Sequence, residues 1–206
     1  RGDVLRALAG IPGVYVPSAY SVAYTPQGHL AAFDPDEGFP RNVSCRIVRQ
    51  LDRFPAASCF RSRDTELSDM TLLEVSRGCS RQCRFCAVGS VYRPYRARSL
   101  AALAAELDGM AQDSLKVGVL GAAVSDHPDL AKIGRHILER GGQAGIGSLR
   151  IDQVTVERIE WLKACGIETV ALAPEAGSQR LRDVLRKGVT EEDIFKAADV
   201  LMQKDL

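Results

Sequence analysis

The sequence predicts an α/β fold, a parallel sheet covered by helices, on three observations. From Thr71 onward, short apolar runs alternate with helix-patterned stretches, and strand-then-helix repeats four times. Alternation of this kind builds a parallel sheet, because each crossover helix must pack back onto the strands it joins. The apolar runs, VALA at 170–173 among them, are near-continuous, as expected of strands buried on both faces. Each run also leads into an unusual stretch: RGCSRQCRFC after the first, GAAVSDHP after the second, SLRID at the end of the third, PEAGS after the fourth. In doubly wound sheets and (β/α) barrels alike, chemistry gathers beyond the carboxyl ends of the strands. Four such stretches on one edge therefore predict one active site. Periodicity alone leaves the two architectures open.

Residues 1–65 read differently and are expected to form a connector that packs on its neighbours, with 66–206 as the core domain. Val4 to Ala9 is a short helix, broken by the prolines and glycine of IPGVYVP. SVAYT, PQG and HLAAF read as strand, turn and strand. FDPDEGFP is an acidic loop, and RNVSCRIVRQLDRF fits either a strand or a helix.

In the core, TLLEVS (71–76) is the first strand, and SLAALAAELDGM (99–110) is a helix with Ser99 as N-cap. LKVGVLG (115–121) is the second strand. HPDLAKIGRHILERGG (127–142) is a helix, with Pro128 near its first turn and glycines at its end. AGIGSLRI (144–151) is the third strand. A helix from Thr155 follows, with Ile159, Leu162 and Cys165 apolar and Gly166 at its C-cap. IETVALAP (167–174) is expected as a fourth strand. SQRLRDVLRKG and TEEDIFKAADVLM are helices, the latter opened by a capping-box pattern of Thr190 and Asp193.

Composition narrows the function classes. A net charge of +1 gives no overall field to recruit a nucleic acid or a membrane. No apolar run approaches the roughly 18 residues of a spanning helix, so no membrane contact is expected. The opening RGDVLRALAG carries no signal-peptide pattern. Six cysteines in 206 residues do not form a secreted disulfide framework, and a reducing cytoplasm is the expected setting. Cys45, Cys59 and Cys165 are expected as buried or half-buried small apolar residues. The chain lacks an initial Met and ends on LMQKDL, so it reads as a piece of something longer.

Cys79, Cys83 and Cys86 form C-x3-C-x2-C. Thiolates suit zinc, copper(I) or iron–sulfur clusters. A four-ligand zinc site needs a further Cys or His, which Cys59 or His127 would have to supply through the fold. A [4Fe–4S] cluster usually takes four cysteines; with three, one iron is left open to a ligand that is not protein. Two classes stay open on the residues alone: an enzyme using an open iron, or a non-catalytic zinc- or iron–sulfur-binding module.

LEVSRGCSRQCRFC, with Phe85 before the last cysteine and a predicted strand ahead, resembles the signature of the radical SAM superfamily. The resemblance covers roughly residues 70–206. It implies a partial (β/α) barrel of the radical SAM type with about four βα units present. It implies a [4Fe–4S] cluster on Cys79, Cys83 and Cys86, and S-adenosylmethionine (SAM) chelated at the fourth iron and cleaved to a 5′-deoxyadenosyl radical. Phe85 would lie near the adenine. Gly121 and Ala122 stand where the family carries a Gly-rich motif for the SAM amino group, without its usual acid; that contact falls to backbone carbonyls, Ser125 or Asp126. Ser148 and Arg150 match a polar pair near the SAM carboxylate and ribose. PEAGSQRLRDVLRKG resembles a stretch of methylthiotransferase-like members, which places Glu175 at the SAM amino group or ribose. GIPGVYVPSAY, EVSRGC and VYRPYRARS resemble a branch with an upstream cobalamin-binding domain; cobalamin is implied by that branch alone, since no cobalamin signature occurs in these residues. An electron donor such as flavodoxin or ferredoxin is implied as a partner, and no catalytic residue is assigned.

Arg77, Arg81, Arg84, Arg93, Arg96 and Arg98 form a run free of acids from Val75 to Ala105. It serves either to offset cluster charge and meet an anionic substrate, RNA included, with Tyr92 and Tyr95 for stacking, or simply as a loop paired with acids elsewhere. Asp126 and His127 are either catalytic or SAM-facing, or an N-cap before Pro128 and a neighbour that fills space; His136 is expected at the surface and Trp161 in the core.

Overall fold

The computed structural model describes residues 2–65, 67–110 and 115–206. The chain divides into two compact units, Arg1–Arg49 and Gln50–Leu206.

In the first unit, helix α1 (Gly2–Ala9) precedes an antiparallel hairpin of β1 (Tyr20–Tyr24) and β2 (Leu30–Pro35). The helix and hairpin lie where the sequence places them. Glycine closes the turn, with Gly28 N–H donating to Thr25 O at 2.9 Å. Tyr20 stacks on Phe33 with ring centroids 4.9 Å apart, and Tyr15 lies 4.9 Å from Tyr20, so three rings supply the apolar body of a unit with few buried residues.

The second unit is built on a parallel sheet. β3 (Thr71–Glu74) is followed by two residues, β4 (Ser76–Arg77), that pair antiparallel with β5 (Arg96–Ala97). Between them lies the short helix α2 (Val88–Val91). Next come α3 (Leu100–Asp108), β6 (Lys116–Leu120), α4 (Leu130–Glu139), β7 (Gln143–Ile146) and α5 (Val156–Ala164), then α6 (Gln179–Val184) and α7 (Glu191–Gln203). The sheet order is β3-β6-β7, all parallel, with Leu73 opposite Val119 and Val119 opposite Ile146. Strands thus add in chain order on one side, without the reversal that marks a doubly wound sheet.

Leu73, Val75, Val117 and Val119 pack against Leu103, Leu107, Ile133, Ile137, Ile159 and Leu162 in one core. Each such fully buried aliphatic side chain contributes about 1.5–3 kcal/mol. Trp161 lies across α4 where Gly134 offers no Cβ; an added Cβ would sit 2.5 Å from the indole ring. The caps form as the sequence predicts: Ser99, Thr155 and Thr190 accept from the backbone N–H groups of Ala102, Arg158 and Asp193, and Thr190 with Asp193 completes a capping box.

Three expectations are corrected. The stretch 167–174 is not a fourth strand; its one pairing is a parallel bridge between Leu149 and Leu172. Val170 and Leu172 pack on the core while Ala171 and Ala173 are exposed, so one face is covered and not two. Three strands are therefore laddered, and the described residues form an open sheet, not a closed barrel. Residues 41–49 form neither strand nor helix; beyond them only a single 3-10 turn, Leu51–Arg53, appears. Cys165 is buried as expected, but Cys45 and Cys59 are exposed.

Candidate active site

The cysteines sit on a loop that the β4–β5 ladder closes at its base. Gly78 turns the chain out of β4 at φ 80°, packed under the carbonyls of Tyr92 and Pro94, where a side chain has no room. The loop is tied down further along: Arg84 N–H donates to Leu185 O at 2.9 Å, at the end of α6.

All nine residues singled out in the sequence come together. Cys79, Cys83, Phe85, Cys86, Gly121, Ala122, Ser148, Arg150 and Glu175 line one cavity of 340 Å³ at the carboxyl edge of the sheet. That size falls within the roughly 300–1,000 Å³ of small-molecule sites. The four contributing stretches are the four that follow the apolar runs. The fourth reaches the cavity although its run makes only one bridge, because Ala173 and Glu175 continue past that bridge at the same edge.

Charge is unevenly distributed around the cavity. Glu175 is the one carboxylate on its described lining, against Arg81, Arg150 and Lys187. Arg81 is bidentate to Asp126, with Nε to Oδ2 at 3.2 Å and Nη2 to Oδ1 at 3.1 Å, and reaches Asp152 at 3.3 Å. The hydrogen bond to Asp126 holds its pKa above the ordinary value. Arg150 Nε donates to Asp152 at 2.9 Å, and its backbone N–H donates to Ser125 Oγ. Asp126, also reached by the Ser80 hydroxyl, is thus engaged by the cysteine loop, and Ser125 is already an acceptor.

His127 is fully buried and does not line the cavity. Its Nδ1 accepts from Asp129 N–H at 3.1 Å, which leaves the proton on Nε2 to donate to Arg98 O at 3.0 Å. Burial lowers its pKa. With both nitrogens engaged, it joins two backbone segments and has no lone pair to offer a metal. Of the arginine run, Arg77 and Arg98 pair with Glu74 and Arg81 with Asp126 and Asp152, so these three meet acids outside the run. Arg98 is buried and also donates to the carbonyls of Leu51, Phe54 and Pro55. Tyr92 is exposed, while Tyr95 is half-buried with its hydroxyl beside Ser76, and burial pushes its pKa up.

The sequence reading missed Lys187. Its ammonium lies 2.8 Å from Glu175 and 5.8 Å from the centre of the Phe85 ring. A lysine just after a helix usually answers the helix dipole, and no local pattern marks this one as lining the cavity.

The donor chemistry fits an iron–sulfur cluster. Three free, half-buried thiols share one loop at a cavity whose described lining also carries Arg81, Arg150 and Lys187. Arg81 N–H also points at Cys79 Sγ, 3.4 Å away. Among the described residues, no three His, Cys, Asp or Glu side chains converge on a single metal position. A cluster does not require that, since each cysteine binds a different iron.

Comparison with known proteins gives the same direction. The Radical SAM superfamily profile matches residues 73–206. An uncharacterized protein of Methanocaldococcus jannaschii is 35% identical over 131 residues, 63% of this chain and 29% of that protein. A ribosomal protein uS12 methylthiotransferase of Alkaliphilus oremlandii is 27% identical over 96 residues, 47% of this chain and 20% of that enzyme. The chain therefore spans under a third of the length of either relative.

Proposed function

Because this chain belongs to the radical SAM superfamily, we propose that its cavity is the site where SAM is bound and cleaved, and that Cys79, Cys83 and Cys86 hold the [4Fe–4S] cluster. Membership of the superfamily implies SAM-dependent radical chemistry with an iron–sulfur cluster. The observation that carries the assignment is the convergence of the three thiols, Phe85, Gly121, Ala122, Ser148, Arg150 and Glu175 on one cavity.

A cluster held by Cys79, Cys83 and Cys86 would supply the single electron for reductive cleavage of SAM at its S–C5′ bond. The chain's own residues bind and orient. Glu175, the one carboxylate of the described lining, attracts the cationic end of SAM, and the Phe85 ring offers a face for the adenine. Gly121 and Ala122 line the cavity beyond β6 and offer their backbone to a ligand; the missing Cβ of Gly121 lets that wall pack on Ser76, whose Oγ would lie 2.6 Å from it. Arg150, fixed on Asp152, presents positive charge toward a carboxylate. The three laddered strands are the first part of a (β/α) barrel, and 1–65 is a connector to it. A flavodoxin- or ferredoxin-like protein supplies the electron. The comparisons give cobalamin no support, and none is proposed.

Anaerobic reconstitution of the full-length protein with iron and sulfide tests this reading. About four irons per chain are expected, with an EPR spectrum of the reduced cluster that SAM perturbs, both lost in Cys83→Ala. Release of 5′-deoxyadenosine on reduction with dithionite completes the expected result. Tight zinc, or an intact cluster whose spectrum ignores SAM, overturns it.

A further inference from the structure

Lys187 stands where three of the cavity's walls meet. Its ammonium pairs with Glu175 at 2.8 Å, on the stretch after the fourth apolar run, and faces Phe85 of the cysteine loop at 5.8 Å. Its carbonyl accepts from Arg150 Nη2 at 3.3 Å, on the loop after β7. The lysine side chain is 12% exposed and that of Glu175 32%, so the ammonium is largely shielded while the carboxylate stays open to the cavity. The backbone is bent at both ends of the pair. Arg186, before Lys187, has φ 54°, and Glu175 itself has φ 68°. Non-glycine residues seldom take this left-handed conformation, which is strained and persists where surrounding contacts over-determine it. Here Lys187 N–H donates to Arg182 O at 2.9 Å, and the neighbouring Leu185 carbonyl holds Arg84 of the cysteine loop.

We propose that Lys187 is a positioning residue for SAM, acting through Glu175 and Phe85; this rests on the reading of the cavity as the SAM site. Without Lys187, Glu175 has no cation to hold its carboxylate in the bent conformation, and the Phe85 ring loses a contact that fixes its face toward the cavity. With it, the one carboxylate of the described lining is aimed before the ligand arrives. Pre-organisation of this kind tightens binding without adding a contact to the ligand.

The test is equilibrium binding of SAM to the reconstituted, unreduced full-length protein, with iron content as the control. Lys187→Met is expected to weaken SAM binding about tenfold, the scale of one charge-assisted hydrogen bond. Iron per chain should stay unchanged. Lys187→Arg is expected to recover most of the loss, since it restores the charge facing both Glu175 and Phe85. Glu175→Gln alone and combined with Lys187→Met should weaken binding about equally, because coupled residues do not add. Unchanged binding in Lys187→Met, or additive losses in the double variant, overturns the proposal while the SAM site stands. If Lys187→Met loses its iron, Lys187→Arg and Glu175→Gln decide: an arginine variant that keeps iron but binds no better than Glu175→Gln also overturns it. A wild-type protein with an intact cluster and no affinity for SAM brings down the site reading itself, and this proposal with it.

Discussion

Arg81 and Asp126 meet fork to fork, at 3.2 and 3.1 Å, and so join the loop that carries the cysteines to the turn that follows β6. Asp126 is 8% exposed in its side chain, so the pair is largely removed from water on the acid's side. Lysine keeps the charge but not the planar fork. Arg81→Lys should therefore lower stability by about 1–2 kcal/mol and reduce iron uptake during reconstitution. Urea unfolding and iron analysis check both. A variant equal to wild type in each would show that the loop is held by other contacts.

Gly78 is the second hold on the same loop. At φ 80°, with the Tyr92 and Pro94 carbonyls where a Cβ would stand, alanine meets both backbone strain and overlap. The obstructing atoms are backbone, so no side chain can swing aside. Gly78→Ala is expected to cost about 2–4 kcal/mol and to lose most of the iron bound by wild type. Thermal unfolding with iron content measures it. Full iron binding would show that the loop tolerates a different path out of β4.

His127 predicts an acid-side loss of stability. In the unfolded chain it titrates near its ordinary 6.5; in the fold, burial lowers that value, against weaker opposing effects of the Arg98 carbonyl and Asp129. Below 6.5 the unfolded state binds the extra proton first, so stability is full above that pH and falls as pH drops toward the folded value. The urea midpoint should be lower at about pH 5.5 than at about pH 7.5, and His127→Gln should flatten that difference. Carboxylate titrations such as that of Glu74 lie further down. There burial raises the pKa, but hydrogen bonds and charge from Arg77 and Arg98 outweigh it, and the net shift is downward from 4.5. An equally steep pH dependence in His127→Gln would assign the effect elsewhere.

What could be read in the sequence was what is local. Ser99, Thr155 and Thr190 cap because a hydroxyl beside an open N–H needs only its own turn. The four cavity-lining stretches were legible for a related reason: parallel strands deliver the residues that follow them to one edge, whatever the partners; which residues within them to single out came from the family resemblance. Pairing was not legible. The run 167–174 has the composition of a strand, yet hydrophobicity reports burial and not hydrogen bonding, and β7 offers only Leu149 beyond its ladder. The Arg81–Asp126 fork and the Lys187–Glu175 pair join residues 45 and 12 positions apart, and nothing in their local patterns marks them as partners.

Arg182 extends that point to a residue whose surroundings make it structural. It is 1% exposed, on α6, and sequence periodicity gives no reason to bury it. Its Nη1 donates to Ala176 O at 2.9 Å and Gly177 O at 3.0 Å, and its Nε donates to Val189 O at 3.1 Å. Its Nη2 donates to Gln179 Oε1 at 3.0 Å. The guanidinium thus holds the bend just after Glu175 from within. Methionine matches much of the stem but removes all four donated bonds; Val189 O keeps only a long one from Gln179 Nε2 at 3.4 Å, and Gln179 Oε1 keeps that from Glu191 N–H at 3.2 Å. Ala176 and Gly177 are open enough for water to replace the lost donor, whereas Val189 is buried. Arg182→Met is therefore expected to cost about 1–3 kcal/mol, less than full loss of four bonds. Its larger effect should be local: faster amide hydrogen exchange at 175–178, with the helices α3 to α5 unchanged. Exchange that rises uniformly across the second unit would make Arg182 a global fastener, and exchange that does not change at 175–178 would free the Glu175 bend from its control.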